Sequence, residues 1–226
     1  MLHTANAVGW CRRIAQLGAG LGLYGLSMAL LVRSSLGVMP WDVLHQGAAR
    51  RVGVSLGTMT VLVGLVVLLA WIPLRQRPGI GTVSNVVVIG VAVNAALAIL
   101  PAPVVLGEQL VFAGAGIVLN AVATAAYIGV HLGPGPRDGL MTGLVRRTGK
   151  SVRLVRTSIE VAVVGTGTLL GGTLGIATVA YAVAIGPLVH VFLPRLAVSS
   201  GRDSGRGKGV VPGGGSARPS HRLLRD

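Results

Sequence analysis

Apolar residues run through this chain in six long blocks, separated by short polar stretches rich in glycine and proline. The blocks are Leu17–Val32, Leu56–Leu74, Ile80–Leu100, Gln109–Val130, Leu154–Leu170 and Leu174–Leu193. A helix needs about 20 apolar residues to cross a hydrocarbon layer roughly 30 Å thick, and each block reaches or approaches that length with its flanks. Leu56–Leu74 and Ile80–Leu100 carry no charge, whereas Leu154–Leu170 holds Arg156 and Glu160 and is the weakest of the six. The pattern predicts an all-α polytopic membrane protein with six transmembrane helices.

Composition strengthens that reading. Of 226 residues, 52% are hydrophobic and 12% charged, where a soluble domain carries roughly 25% charged residues. The 35 glycines with only 4% aromatics suit helices that pack closely in lipid. The lone Cys11 excludes an intramolecular disulfide and a cysteine-based zinc site. Arg12 and Arg13 precede the first block, but "LSMALLVRSS" runs into Arg33 with no small-x-small cleavage site. A retained first helix is therefore expected over a cleaved signal.

The basic residues give an orientation. With the amino terminus in the cytoplasm, Arg12, Arg13, Arg75, Arg77, the cluster from Arg137 to Arg153 and the whole tail lie inside. Only Arg33, Arg50 and Arg51 then lie outside. Cytoplasmic loops favour Lys and Arg, so both termini are expected inside.

The outward arginines find a reason in an internal repeat. "LGVMPWDVLHQGAARRVGVS" (36–55) aligns without a gap on "LGPGPRDGLMTGLVRRTGKS" (132–151), with ten of twenty positions identical. "GIGTV" (79–83) falls on "GIATV" (175–179) at the same offset. A shared Gly-x-x-Pro-x-Asp-x-Leu-x-x-Gly-x-x-Arg-Arg is far more specific than chance matches of glycine and valine. Each copy holds three spans, an odd number, so the second enters the membrane from the opposite side. Two inverted three-helix repeats are expected, over residues 16–100 and 108–194. A cytoplasmic segment (1–15) precedes them and a disordered basic cytoplasmic tail (195–226) follows.

Residues 40–52 and 136–148 each predict a further short helix. At 1.5 Å per residue it is about 20 Å long, too short to span. Pro40 and Pro136 suit a first helical turn, and Asp42 and Asp138 then sit where the helix dipole favours an anion. Trp41, Leu44, Ala48 and Val52 fall near one face. Two readings stand side by side: an interfacial helix with a helix-starting acid, or a re-entrant helix dipping towards the midplane. In the second, Asp42 and Asp138 enter from opposite faces and converge, and acids at such depth mark an ion, proton or substrate path.

"SLGVMPWDVLHQG" (35–47), followed by "GIGT" (79–82), resembles the YczE/YyaS/YitT group of bacterial integral membrane proteins. That group carries a Gly-x-x-Pro-Trp-Asp element after the first span and a glycine-rich GxGT element before the third. The resemblance covers about residues 16–194. The second copy departs from it, with Pro136-Arg137-Asp138 lacking the tryptophan. The resemblance implies a bacterial plasma-membrane protein and no particular activity.

The polar residues inside the apolar blocks supply the remaining candidates. Arg156 and Glu160 are four apart on one helical face, where they either neutralise each other or join a polar pathway. Asn85, Asn94 and Asn120 are expected to hydrogen-bond between helices. His45 shares a face with Asp42. "GAGLGLYG" (18–25) mimics a dinucleotide fingerprint but follows no strand, so its glycines read as helix packing. The tail, with seven basic and two acidic residues from Arg195 onward, suits anionic lipid headgroups better than nucleic acid.

A small secondary transporter or permease is expected, with Asp42, Asp138, Pro40, Pro136, Trp41, His45 and Glu160 as candidate substrate- or ion-binding residues. Proton or cation coupling is possible in that role, as is a homodimer. The alternative is a non-transporting membrane factor that supports assembly or regulation of a partner. An enzyme is not expected, and neither a cofactor nor a metal site is indicated.

Overall fold

The computed structural model describes residues 2–198, with side chains from Gly9 onward; the expected disordered tail (195–226) lies outside them from residue 199 on, and its first residues, Arg195 and Leu196, instead close the last helix. Among the described residues the chain is entirely helical. Its elements are α1 (Leu2–Ser34), α2 (Pro40–Val52), α3 (Leu56–Trp71), α4 (Ile80–Ile99), α5 (Leu106–Ile128), α6 (Pro136–Thr148), α7 (Val152–Leu169) and α8 (Ile176–Leu196).

Four helices are long and apolar enough to cross a membrane: α1 over Gly9–Ser34, α4, α5 and α8. The α2–α3 pair, bent by 112° at its break, adds a fifth if it counts as one broken span. The helix α7, which carries Arg153, Arg156 and Glu160, is not among them. Large apolar side chains stand exposed along α3, α4, α5, α7 and α8, including Leu69, Val91, Val111, Val161 and Val183. A surface of this kind matches lipid rather than water.

Local signals set the helix ends. Pro40 and Pro136 open α2 and α6, where a missing N–H removes no bond. Gly53 and Gly149 close them in the left-handed conformation, at φ 77° and 67°. The Gly53 N–H returns to the Ala49 carbonyl and the Gly149 N–H to that of Val145, each at 2.9 Å. Ser55 and Ser151 cap α3 and α7, accepting from the Thr58 and Leu154 amides. The Thr82 and Thr178 hydroxyls accept from the Gly79 and Gly175 N–H groups at the starts of α4 and α8.

Equivalent elements of the two halves start 96 residues apart: Pro40 and Pro136, Leu56 and Val152, Ile80 and Ile176. The loops before α2 and α6 keep the same spacing and dock reciprocally. The Gly81 N–H donates to the Leu132 carbonyl, and the Ala177 N–H to the Leu36 carbonyl, both at 2.9 Å. Gly37 and Gly133 take φ 121° and 133°, open to glycine but strained for other residues. A Cβ at Gly37 would lie 2.7 Å from Thr178 Oγ1, and one at Gly133 2.9 Å from Thr82 Oγ1.

The core forms around α1, which packs along α4 and α5. Leu21, Met28, Leu31, Met39, Val93, Ala123 and Val130 are fully enclosed. Small residues set these distances: a Cβ on Gly25 would press into α4 at Ala92 and Val93, and one on Gly116 into Leu31. The expected packing role of "GAGLGLYG" holds for Gly20 and Gly25, while Gly18 and Gly22 have open space beside them.

Asn94 accepts from the Gly57 N–H at 2.9 Å and donates to Ser55 Oγ at 2.8 Å. Asn120 donates to Ser27 Oγ and accepts from the Tyr181 hydroxyl, each at 2.8 Å. Both therefore tie helices together, as expected. Two of the three arginines assigned to the outside also have local duties. Arg33 donates to the Leu97 carbonyl near the end of α4, and Arg50 to the Gly171 carbonyl in the α7–α8 turn. Cations are favoured at such carbonyl-rich helix ends.

Candidate functional site

The first turns of α2 and α6 border one cavity of about 310 Å³. Pro40-Trp41 comes from one half and Pro136-Arg137-Asp138 from the other. Tyr24 on α1, Tyr127 on α5 and Tyr181 on α8 complete an aromatic rim. Arg156 and Glu160 line the same cavity from α7.

The two acids occupy different environments. Asp42 is fully buried behind the wall. Its Oδ1 lies 3.0 Å from His45 Nδ1 and 3.5 Å from Arg137 Nη2. The Thr60 hydroxyl donates to the Leu56 carbonyl, which leaves its oxygen free to accept from His45 Nδ1 at 3.4 Å. With Asp42 ionised, Nδ1–H is then the donor to both neighbours. Asp42 Oδ2 is buried without a hydrogen-bond partner among the described residues. An ionised carboxylate sealed from water is costly unless a cation stands close, and Arg137 supplies one.

Asp138 is open to solvent and lines the cavity. Its Oδ2 accepts from the Tyr127 hydroxyl at 3.2 Å. Tyr127 is steadied by an edge-to-face contact with Tyr24, with ring centroids 6.3 Å apart. No cation pairs with Asp138 within salt-bridge distance among the described residues.

Arg137 links the two halves. Its guanidinium carbon stands 5.0 Å from the Trp41 ring centroid, a cation–π geometry, while one nitrogen faces Asp42. Trp41 and Arg137 occupy equivalent positions of the two sequence copies, so the second copy's departure from Pro-Trp-Asp places a guanidinium against the first copy's tryptophan. Behind them, Trp71 is buried and its Nε1–H donates to the Pro136 carbonyl at 3.0 Å. Arg156 Nε meets Glu160 Oε1 at 2.9 Å, the neutralising pair weighed from sequence. Both side chains are over a third exposed, so the pair adds little stability.

Pro40, Trp41, His45, Pro136, Asp138 and Glu160 thus line one cavity, with Asp42 just behind it. Arg137 and the three tyrosines were missed as site residues. Arg137 had a legible signal: it alone breaks the repeated Pro-x-Asp motif with a charge. The tyrosines had none, because each reads as an ordinary apolar position within a span. The buried side of α2 carries Asp42, His45 and Ala49, while Trp41, Leu44 and Ala48 are half-buried and Val52 is exposed. Asp42 and His45 therefore face the protein together with Val43 and Gly47, while Arg50 and Arg51 are exposed.

Residues 11–194 match a family described as a family of unknown function, DUF6198. The chain belongs to the DUF6198 family. It is 40% identical over 182 residues to an uncharacterized protein of Haemophilus influenzae, covering 80% of this chain and 84% of that one. It is 30% identical to the uncharacterized membrane protein YczE of Bacillus subtilis, covering 78% and 83%. The uncharacterized protein YyaS of the same organism is 25% identical, covering 78% and 90%. The expected kinship with the YczE and YyaS proteins is met. No solved structure matches the chain. Its apolar helices and its similarity to the membrane protein YczE make it a membrane protein.

Proposed function

We propose that this chain is a small secondary transporter or permease, built as two inverted repeats around the cavity. The observation that carries the reading is that both Pro-x-Asp helix starts, one from each half, border a single cavity. The reciprocal bonds from Gly81 to Leu132 and from Ala177 to Leu36 support it, because exchange of equivalent partners is the signature of a two-fold relation. In this reading each half crosses three times: α1, the bent α2–α3 pair and α4, then α5, α6–α7 and α8. The short helices are re-entrant and bring their amino termini towards the midplane, the plan of many secondary transporters. Irregular backbone at that depth is tolerated where it is buried in protein or lines a cavity, as the loops before α2 and α6 do.

The test is cysteine accessibility. Single cysteines are placed through 37–47 and 133–143 in a Cys11→Ser background, then labelled with an impermeant thiol reagent in intact cells and inverted vesicles. The two segments should react from opposite sides, with labelling that continues past Pro40 and Pro136. Reaction of both segments from one side, or shallow labelling only, would sink the transport reading.

A second reading has an observation of its own. Asp42 is sealed and held by His45 and Arg137, as a structural lock would be. A non-transporting factor for a partner complex fits that arrangement: it should tolerate Asp138→Asn in function, whereas Asp42→Asn should destabilise the fold because it leaves Arg137 without its partner.

A further inference from the structure

We infer that the cavity binds a small monovalent organic cation, an alkylammonium or a guanidinium compound, with Asp138 as its counter-ion. The inference deepens the transport reading and rests on the same cavity.

The charges at the cavity nearly cancel. Arg156 pairs with Glu160, and Arg137 stands by Asp42. His45 is sealed from water, where a further charge is costly, and is counted as uncharged. Asp138 is left without a salt-bridge partner among the described residues, open to the cavity and held by the Tyr127 hydroxyl and the Gly135 backbone, with Arg137 and Arg156 acting on it only from a distance. An occupant with one positive charge gives Asp138 the ion-pair partner it lacks among the described residues. An anion would meet the uncompensated carboxylate and be repelled.

The walls select the kind of cation. Among the described residues no group of three His, Cys, Asp or Glu side chains is placed to hold a metal ion. A bare cation such as calcium needs about six to eight oxygen ligands, which Asp138 and a tyrosine hydroxyl do not supply. The volume of about 310 Å³ is at the small end of organic ligand pockets. Tyr24, Trp41, Tyr127 and Tyr181 supply aromatic faces, the surfaces that recognise weakly hydrated organic cations. The protein already shows such a contact, since the Arg137 guanidinium lies over Trp41. That side chain is a tethered cation on one face of the cavity, and the free ligand occupies the adjoining space at Asp138.

Calorimetric titration of the full chain in lipid nanodiscs tests this. The probes are tetramethylammonium chloride and methylguanidinium chloride, with sodium acetate as the anionic control. At least one cation should bind, and acetate should not. Asp138→Asn should weaken cation binding by roughly tenfold or more, because it removes the counter-ion. Gly165→Ala, on α7 but outside the cavity lining and with nothing within 4 Å of the added Cβ, should leave cation binding unchanged. Binding of acetate in preference to both cations would overturn the inference. So would cation binding untouched by Asp138→Asn, or equal losses in both variants, which would mark general damage to the cavity. Equilibrium binding needs no translocation, so the two readings fail separately. Cation binding with one-sided thiol labelling would sink transport alone. Two-sided labelling with no cation binding would sink the cation alone.

Discussion

Asp42 and Asp138 share a motif and a helix position, yet one is sealed and the other open. The difference follows from the residue between proline and acid in the opposite copy. Arg137 reaches across to Asp42, while its equivalent, Trp41, offers Asp138 no charge. A reader of the sequence finds both acids and both prolines, because helix-start chemistry is local. The cation that serves Asp42 lies 95 residues away, and only the fold shows the pairing. The same holds for Asn120. Its role between helices was legible, but its partners Ser27 and Tyr181, on α1 and α8, were not. Asn120→Ala should lower stability by roughly 1–2 kcal/mol, because the buried Ser27 and half-buried Tyr181 hydroxyls each lose a partner. Unfolding in mixed detergent micelles measures that loss.

At the scale of elements, α2 and α6 match the expected ranges 40–52 and 136–148 residue for residue. Proline at the start and glycine after the end explain that accuracy, since both act through the backbone of their own turn. The apolar blocks were less sharp. The block Leu56–Leu74 becomes α3 only as far as Trp71, and a turn takes the rest. Hydropathy does not register a turn made of apolar residues. Nor does it show which helices touch. The docking of α2 on α7 depends on two glycines: a Cβ on Gly167 would lie 2.5 Å from Val43 C, and one on Gly47 2.9 Å from Leu170 Cβ. Gly165, on the same helix, has nothing within 4 Å of such a Cβ. Gly167→Ala should therefore cost roughly 1–3 kcal/mol as α2 and α7 are forced apart. Gly165→Ala should be neutral, or stabilising by up to about 1 kcal/mol, through its better helix propensity. Thermal unfolding of the two variants in detergent tests the contrast, and equal behaviour would contradict the α2–α7 docking.

For the whole molecule, membrane class and helical fold were legible because lipid demands long apolar segments with satisfied backbones. The side on which each terminus lies is a matter of the chain's basic residues. Cys11 is exposed and is the sole cysteine of the sequence, so the native protein carries its own reporter. An impermeant maleimide should label it in inverted vesicles and spare it in intact cells, as expected for a cytoplasmic amino terminus. The reverse result would turn the whole topology over. The packing of α2 on α7 also has a consequence in time. Synthesis reaches α7 more than a hundred residues after α2, roughly ten seconds later at ordinary rates of elongation. Until then Val43 and Gly47 of α2 lack the α7 surface they pack against, although Thr60 of α3 is already at hand for His45. Arg137, which faces Asp42, also arrives late in synthesis. The final seat of α2 forms only when the second half arrives.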